Sequence, residues 1–388
     1  MAVKRKARSR SGLRLCLGGD VMTGRGVDQI LSHPGDPGLR EPWVASALDY
    51  VRLAEAANGS IPRPVADAYL WGDALDMLSA CAPELFIVNL ETSITTSGDR
   101  DPKGINYRMH PANAGCLAAA GIDCCALANN HVLDWGRAGL RETLEVLDTA
   151  GIARAGAGLD ADAAWTPAVL VVPGKARVLV FAVGLESSGI PRDWAAGAGR
   201  SGVARLEALD DAAVVRLADA ICARRRSGDL VVVSIHWSGN WGYEITVGQR
   251  AFARALIERA GVDVVHGHSS HHPLGFEVHR GRPILYGCGD LINDYEGIRG
   301  HEEYRGDLGL LWFLDFDLEP DRGRLAALTM APLRRCRLRL ERAQAEAAEW
   351  LRTMLEREGH QCGVRVALGS DGRLLADWPK PGSTGSGG

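Results

Sequence analysis

Apolar positions along this chain gather into short runs that stop at Gly or at a polar residue; between the runs they recur three and four residues apart. The first pattern is that of strands and the second that of helices. Leu13, Leu15 and Leu17 alternate through "LRLCLGG", and "ELFIVNLE", "DCCALANN", "RVLVFAVG", "LVVVSIHW", "VDVVHGH" and "PILYGCG" are further strand-like runs. In "AGLRETLEVLDTAG", Leu140, Leu144 and Leu147 fall at i, i+4 and i+7, and Gly151 stands where a left-handed residue ends a helix. "QRAFARALIERAG" repeats the device with Phe252, Leu256 and Gly261. Strands alternating with helices predict an α/β layered domain, a sheet covered by helices.

The main domain is expected over residues 13–340, with residues 39–80, rich in Pro, Trp and Tyr, forming a helical insertion over one end of the sheet. Over 341–378, "ERAQAEAAEWLRTMLEREG" reads as an amphipathic helix followed by a short strand pair packed on the domain. Residues 1–12 read as a basic flexible tail and 379–388, with "PKPGSTGSGG", as another.

Composition narrows the partners. Of 388 residues 46% are apolar and 24% charged, with a net charge of −4, which points away from disorder, nucleic acid and anionic membrane surfaces. The run after "KRKARSRSG" is too short for an export signal, and no stretch approaches the roughly 20 apolar residues of a membrane span. Nine cysteines without CxxC spacing fit neither a disulfide scaffold nor a zinc ribbon, so the expected place of action is the cytoplasm.

The candidate chemistry lies at strand ends. Asp20 closes "LCLGGD", Glu91 closes "FIVNLE", Asn130 and His131 follow "CCALA", His236 closes "VVVSIH", and His268 with His271 close "VDVVHGHSSH". In open α/β sheets ligands bind at the carboxyl ends of strands, so these distant residues are expected to meet. Carboxylate, amide oxygen and imidazole without thiolate suit a catalytic divalent ion, with Mn, Zn, Fe or Ni the fitting choices.

The blocks "GGDVMTGRG", "NLETSIT", "ANNHVLDWGRAGLRETLEVLDTAGI", "SIHWSGNWGYE" and "HGHSSHHPLGFEVHRGRPILYGCGD", in that order, resemble the CapA family associated with poly-γ-glutamate capsule synthesis. That family's fold is similar to the calcineurin-like metallophosphoesterases, and the resemblance runs from about Leu13 to Phe316. It implies a four-layer α/β/β/α sandwich with one or two metal ions at one edge. It also implies that Glu91 bridges, that Asn130, His236 and His268 hold one ion, and that Asp20 and His271 hold the other. Where the phosphoesterases carry a His two residues after the first Asp, this chain has Met22.

Beside the ion, His131 is the candidate acid/base, with Asp134 fixing its tautomer; the alternative is that Asn130 or Asp134 caps the helix that follows. His301, in a polar loop, is the candidate second acid/base, or a solvated histidine. Arg25 is a candidate for holding an anionic group, or a salt-bridge former. Trp237, Trp241 and Tyr243 wall a substrate pocket or fill the core. Cys288 reads as a buried small residue rather than a nucleophile. The resemblance reaches soluble enzymes that tailor ribosomal peptides, lasso-peptide epimerases among them. The leading expectation is therefore metal-dependent Cα epimerisation of a peptide substrate. Metal-dependent hydrolysis of a phosphoester or amide is the alternative within enzymes, and a poly-γ-glutamate synthesis accessory or binding protein the alternative outside them.

Overall fold

The computed structural model describes residues 12–318 and 323–379. The two expected tails lie outside them, except Gly12, which opens the first strand, and Pro379. The fold is mixed α/β and built on two large sheets.

In the first sheet the strand Gly12–Val21 is central. It runs parallel to Leu85–Leu90, which continues in parallel to Cys124–Ala126 and Ala153–Ala155. On its other side lies the antiparallel Leu308–Asp317, followed by Arg324–Cys336. The short strand Asp290–Ile292 pairs in parallel with the end of Gly12–Val21, placing Asp290 opposite Asp20. In the second sheet Ala176–Gly184, Leu230–His236, Val264–His268 and Arg282–Leu285 are parallel, with antiparallel edges Ala168–Val172 and Phe276–His279.

The near-continuous apolar runs read as strands buried on both faces, and the core shows why. Val178, Val180, Ala182 and Val232 share one hydrophobic core with the first sheet's Leu15, Leu17 and Ile87. Their neighbours Leu179, Phe181, Val183, Val231 and Val233 belong to a second core with Leu217 and Phe252, from the helices Asp211–Cys222 and Val247–Arg259. Strand alternation thus sends every other residue of the second sheet towards the first sheet and the rest under helices.

The helix Gly136–Thr149 buries Leu140, Leu144 and Leu147, and Gly151 follows it at φ +70°. Val247–Arg259 begins with a Thr246/Gln249 capping box and is followed by Gly261 at φ +72°. Over 39–80 fall the helix Ala47–Asn58 and all but the last residue of the helix Ala74–Cys81, whose Val51 and Leu78 join the main core. The helix Ala345–Gly359 packs Leu351 and Leu355 into the same core, and the strands Leu374–Asp377 and Arg365–Leu368 extend the first sheet. Among the described residues no disulfide forms and no helix is long and apolar enough to cross a membrane.

Candidate metal centre

The parallel strands of both sheets end at one edge, and the polar residues sit there. Asp20 lies in register between Asn89 on one side and Asp290 on the other. The approach is close enough that a Cβ on Gly19 would fall 1.6 Å from the Gly289 carbonyl oxygen, so only glycine fits at that step. Asp20 Oδ1 accepts a hydrogen bond from Asn89 Nδ2 at 2.7 Å, and Oδ2 accepts one from the Ser269 amide at 3.2 Å. Ser269 holds φ +101°, a left-handed conformation rarely adopted by a residue with a side chain. Asn89 Nδ2 also donates to Glu91 Oε2 at 3.2 Å, while its Oδ1 accepts from Asn129 Nδ2 at 3.0 Å.

Asp20, Glu91 and Asp290 are all buried. Burial, and then the neighbouring Asp290 charge, push the Asp20 carboxyl up to about 7. Burial and the charges of Asp20 and Asp290 push Glu91 well above the ordinary carboxylate range. Asp290 goes the other way: burial opposes its ionisation, but His271, Arg335 and Asn293 together outweigh that and hold it low. His271 is its counterpart, since burial opposes its charge and Asp290 and Asp20 overcome that to raise it.

His236 and His268 stand opposite each other at the ends of adjacent strands, with their Nδ1 atoms 2.8 Å apart. His236 Nε2 lies 2.9 Å from Asn130 Oδ1 and 3.9 Å from Glu91 Oε1. His268 Nδ1 lies 3.9 Å from Asp20 Oδ1, and its Nε2 is 2.8 Å from Ser234 Oγ. Burial, reinforced by neighbouring histidines, pushes both imidazoles far down, into the neutral form that ligates metals. Asp20, His236 and His268 bring donor atoms within 4.8 Å of one another, and so do Asp20, His271 and Asp290. His266 is occupied elsewhere, by the Gly18 carbonyl at 2.8 Å and by Ser234 Oγ.

His131 sits beside this edge, with Nε2 3.8 Å from Glu91 Oε1. Its loop is shaped by Asn129, whose Oδ1 accepts from the amides of His131 and Val132. The helix after it starts without a side-chain cap, so Asp134 is not spent on capping. Asp134 Oδ2 instead lies 2.7 Å from His131 Nδ1 and accepts from the Tyr107 amide at 2.6 Å. Lys103 Nζ approaches Asp134 Oδ1 at 2.6 Å and also bonds the Asn130 carbonyl. Burial, helped by Lys103 and opposed by Asp134, lowers His131 to about 4. Lys103 escaped the reading of the sequence because a lysine in a polar loop carries no spacing signal. Asn89 and Asp290 carried one, since Asn89 stands next to the last residue of Leu85–Leu90 and Asp290 opens Asp290–Ile292 at the same edge.

The other candidates are placed differently. Arg25 is buried, bonded through Nε to Asp294 Oδ2 at 3.1 Å and through Nη1 to Glu41 and Tyr50, and lies between the Tyr50 and Tyr107 rings. Trp237 is fully buried and donates to the Tyr286 carbonyl at 2.8 Å. Trp241, half-buried, stacks flat on His301 at 4.2 Å and lies 5.6 Å from His271. Tyr243 packs on His272 and Tyr304, and His301 itself is exposed. Cys288 is buried, and burial pushes its thiol up. A cavity of about 450 Å³ opens beside His271, with Arg25, Trp241, Tyr295, His301 and Arg305 in its walls.

The profile of the family described as bacterial capsule synthesis protein matches residues 14–295. The chain is 50% identical over 365 residues to a probable polyglutamine synthesis accessory protein of Mycobacterium tuberculosis, covering 92% of this chain and 94% of the relative. It is 24% identical over 291 residues to the capsule biosynthesis protein CapA of Bacillus anthracis, covering 74% and 62%. It is 30% identical over 169 residues to the PGA biosynthesis protein CapA of Bacillus subtilis, covering 43% and 41%.

Proposed function

This chain belongs to the bacterial capsule synthesis protein family, and from that premise we propose that it is an accessory protein in the synthesis of a glutamine or glutamate polymer, acting on that peptide-like chain through a bound divalent cation. The observation that carries the chemistry is the buried Asp20, His236 and His268 group at the meeting edge of the sheets. Its oxygen and imidazole donors fit Mn, Zn, Fe or Ni. Glu91, Asn130 and His271 are further donors at the same edge. A cation held there supplies Lewis acidity towards a carbonyl or carboxylate oxygen of the substrate.

The chain's own groups do the rest. His131 is neutral at pH 7, and with Nδ1 turned to Asp134 it presents Nε2 as the proton acceptor. Asp134 fixes that tautomer, and Lys103 fixes Asp134. The cavity walled by Arg25, Trp241 and His301 receives the substrate beside His271. The four-layer α/β/β/α arrangement belongs to the same reading, and the two alternating cores support it.

Cα epimerisation needs His131 and His301 as a pair, and phosphoester or amide hydrolysis needs only the cation edge. None of the relatives named above carries an epimerase description, and His301 is committed to a stack on Trp241. The accessory role therefore takes precedence. Its test is disruption of the gene in its host with measurement of the glutamine or glutamate polymer. Wild type is expected to restore polymer and Asp20→Ala to fail. Unchanged polymer after disruption rules out the role, and full rescue by Asp20→Ala removes the cation from it.

A further inference from the structure

The cavity beside His271 carries three guanidiniums that the metal edge does not use, those of Arg305, Arg334 and Arg335. Arg305 grips Asp307 with two bonds, Nε to Oδ1 at 2.7 Å and Nη2 to Oδ2 at 2.9 Å. Arg334 Nε comes no nearer than 3.5 Å to the same carboxylate and is buried without a hydrogen-bond partner. Arg335 is buried and bonds the backbone carbonyls of Asp290, Gly306 and Leu308 rather than a carboxylate; its Nε is also left without a partner. Burial opposes the charge of Asp307, and Arg305, Arg335 and Arg334 outweigh that and hold the carboxyl low, so one carboxylate serves three guanidiniums. The neighbouring carboxylates are engaged elsewhere: Asp290 by His271, Glu296 by the amides of Arg337 and Leu338, and Glu302 by that of Gly300. Arg25, in the same walls, is already matched by Asp294 and Glu41. Two buried N–H groups on adjacent arginines are costly to leave unbonded, and the missing acceptor has to come from outside the chain.

We propose that Arg334 and Arg335, steadied by Arg305 and Asp307, form the subsite of this cavity that reads a free carboxylate on the substrate, so that the site takes glutamate units in preference to glutamine. The inference rests on the polymer reading above and adds to it the residues that choose the unit. A carboxylate is acceptor on both oxygens and matches the planar edge of a guanidinium, whereas a carboxamide sets its NH₂ donors against N–H donors and leaves them unpaired. Fully solvated cations discriminate little between the two; the nitrogens concerned here are buried, where an unpaired donor is felt. Trp241, Ile105 and Ile298 give the same cavity apolar walls, which suit the methylenes of such a unit. His271 lines it as well, so a unit held by the arginines is presented beside the metal edge.

The test uses the full chain loaded with manganese and measures calorimetric affinity for two probes, a γ-linked glutamate pentamer and the same pentamer with every free carboxylate converted to carboxamide. Wild type is expected to bind the carboxylate form roughly tenfold tighter, the scale of one charge-assisted hydrogen bond. Arg334→Gln is expected to bring the two affinities together, with metal content and affinity for the carboxamide form as in wild type. A preference that survives Arg334→Gln in full belongs to the cation and overturns the proposal. So does equal affinity of wild type for the two pentamers, although the polymer reading then survives; a wild type that binds neither ends both. Should Arg334→Gln fail to fold, wild type stripped with chelator decides: a preference that persists without metal supports the arginines, and one that leaves with the metal overturns them.

Discussion

The first sheet brings carboxylates and amides to the site, Asp20, Asn89, Glu91 and Asp290, whereas the second brings the imidazoles His236 and His268. Burial acts on both sides with the same sign and the opposite chemical result. It makes Asp20 and Glu91 hold protons that carboxylates normally shed, and it makes His236 and His268 shed protons that imidazoles hold near neutrality. Asp290 aside, which His271 and Arg335 keep ionised, each half alone avoids charge. A cation between them reverses the balance, since it stabilises the carboxylates as anions and uses the imidazoles in the neutral form they already have. The imidazole half is thus preorganised, and the carboxylate half must lose protons to bind.

The comparison breaks most completely at Asp20, the residue common to both donor groups. Loss of groups that merely orient ligands typically costs about 10–100-fold in metal affinity, so loss of the shared ligand in Asp20→Ala is expected to exceed roughly 100-fold and to empty both halves. Metal counting after dialysis checks it; retention of one full equivalent would show that the halves are independent.

His236→Ala should divide what Asp20→Ala destroys. It removes one imidazole from the second sheet and leaves Asp20, His271 and Asp290 intact. The expected result is loss of the metal held by the imidazole pair with retention of metal at the Asp20, His271 and Asp290 group. If both metals leave together, the two sheets do not hold separate sites.

How much of this was legible follows the same divide. Asp20, Glu91, His236 and His268 could be found because each closes an apolar strand, and parallel strands in one sheet must end together. Asn89 and Asp290 obey the same rule and were passed over, the first beside a better-known donor and the second absorbed into a polar loop. For Trp237 the pattern left pocket wall and core filler open; it follows His236 directly, and strand alternation sends neighbours to opposite faces, which favours the core. Its indole accordingly lies in the second core. Lys103 and Tyr107 reach Asp134 only through the tertiary fold, across the intervening helix Gly115–Ala119 and strand Cys124–Ala126, and no local pattern announces such contacts.

A pH series on chelated protein sharpens the contrast by a smaller amount. Asp20 has its pKa raised from 3.8 to about 7 on folding, so the native state binds this proton more tightly and stability from Asp20 falls as pH rises from about 4 to 7. His131, lowered to about 4 from 6.5, contributes the opposite slope over most of that window and none above it. Asp20→Asn removes the first contribution, together with the part of the Glu91 and His271 shifts that Asp20 causes, and leaves that of His131. Its melting temperature in chelator, compared with wild type, should gain by about a few degrees between pH 5 and pH 8, given roughly 2–4 °C per kcal/mol for chains of this order of size. Parallel curves would mean that Asp20 is ionised without a cation.

The smallest expected effect separates the site from the scaffold. Gly151 has φ +70° at a helix end, with no atom within 4 Å of where a Cβ would stand, so Gly151→Ala carries backbone strain alone. The cost is on the order of 1 kcal/mol, the penalty of a left-handed conformation for a residue with a side chain. Metal content and affinity should be those of wild type, in contrast to Gly19→Ala, whose new methyl meets the Gly289 carbonyl and drives apart the strands that carry Asp20 and Asp290. If Gly151→Ala also loses metal in proportion to its loss of stability, cation binding reports global folding rather than the geometry of this edge, and the contrast between the sheets has no bearing on it.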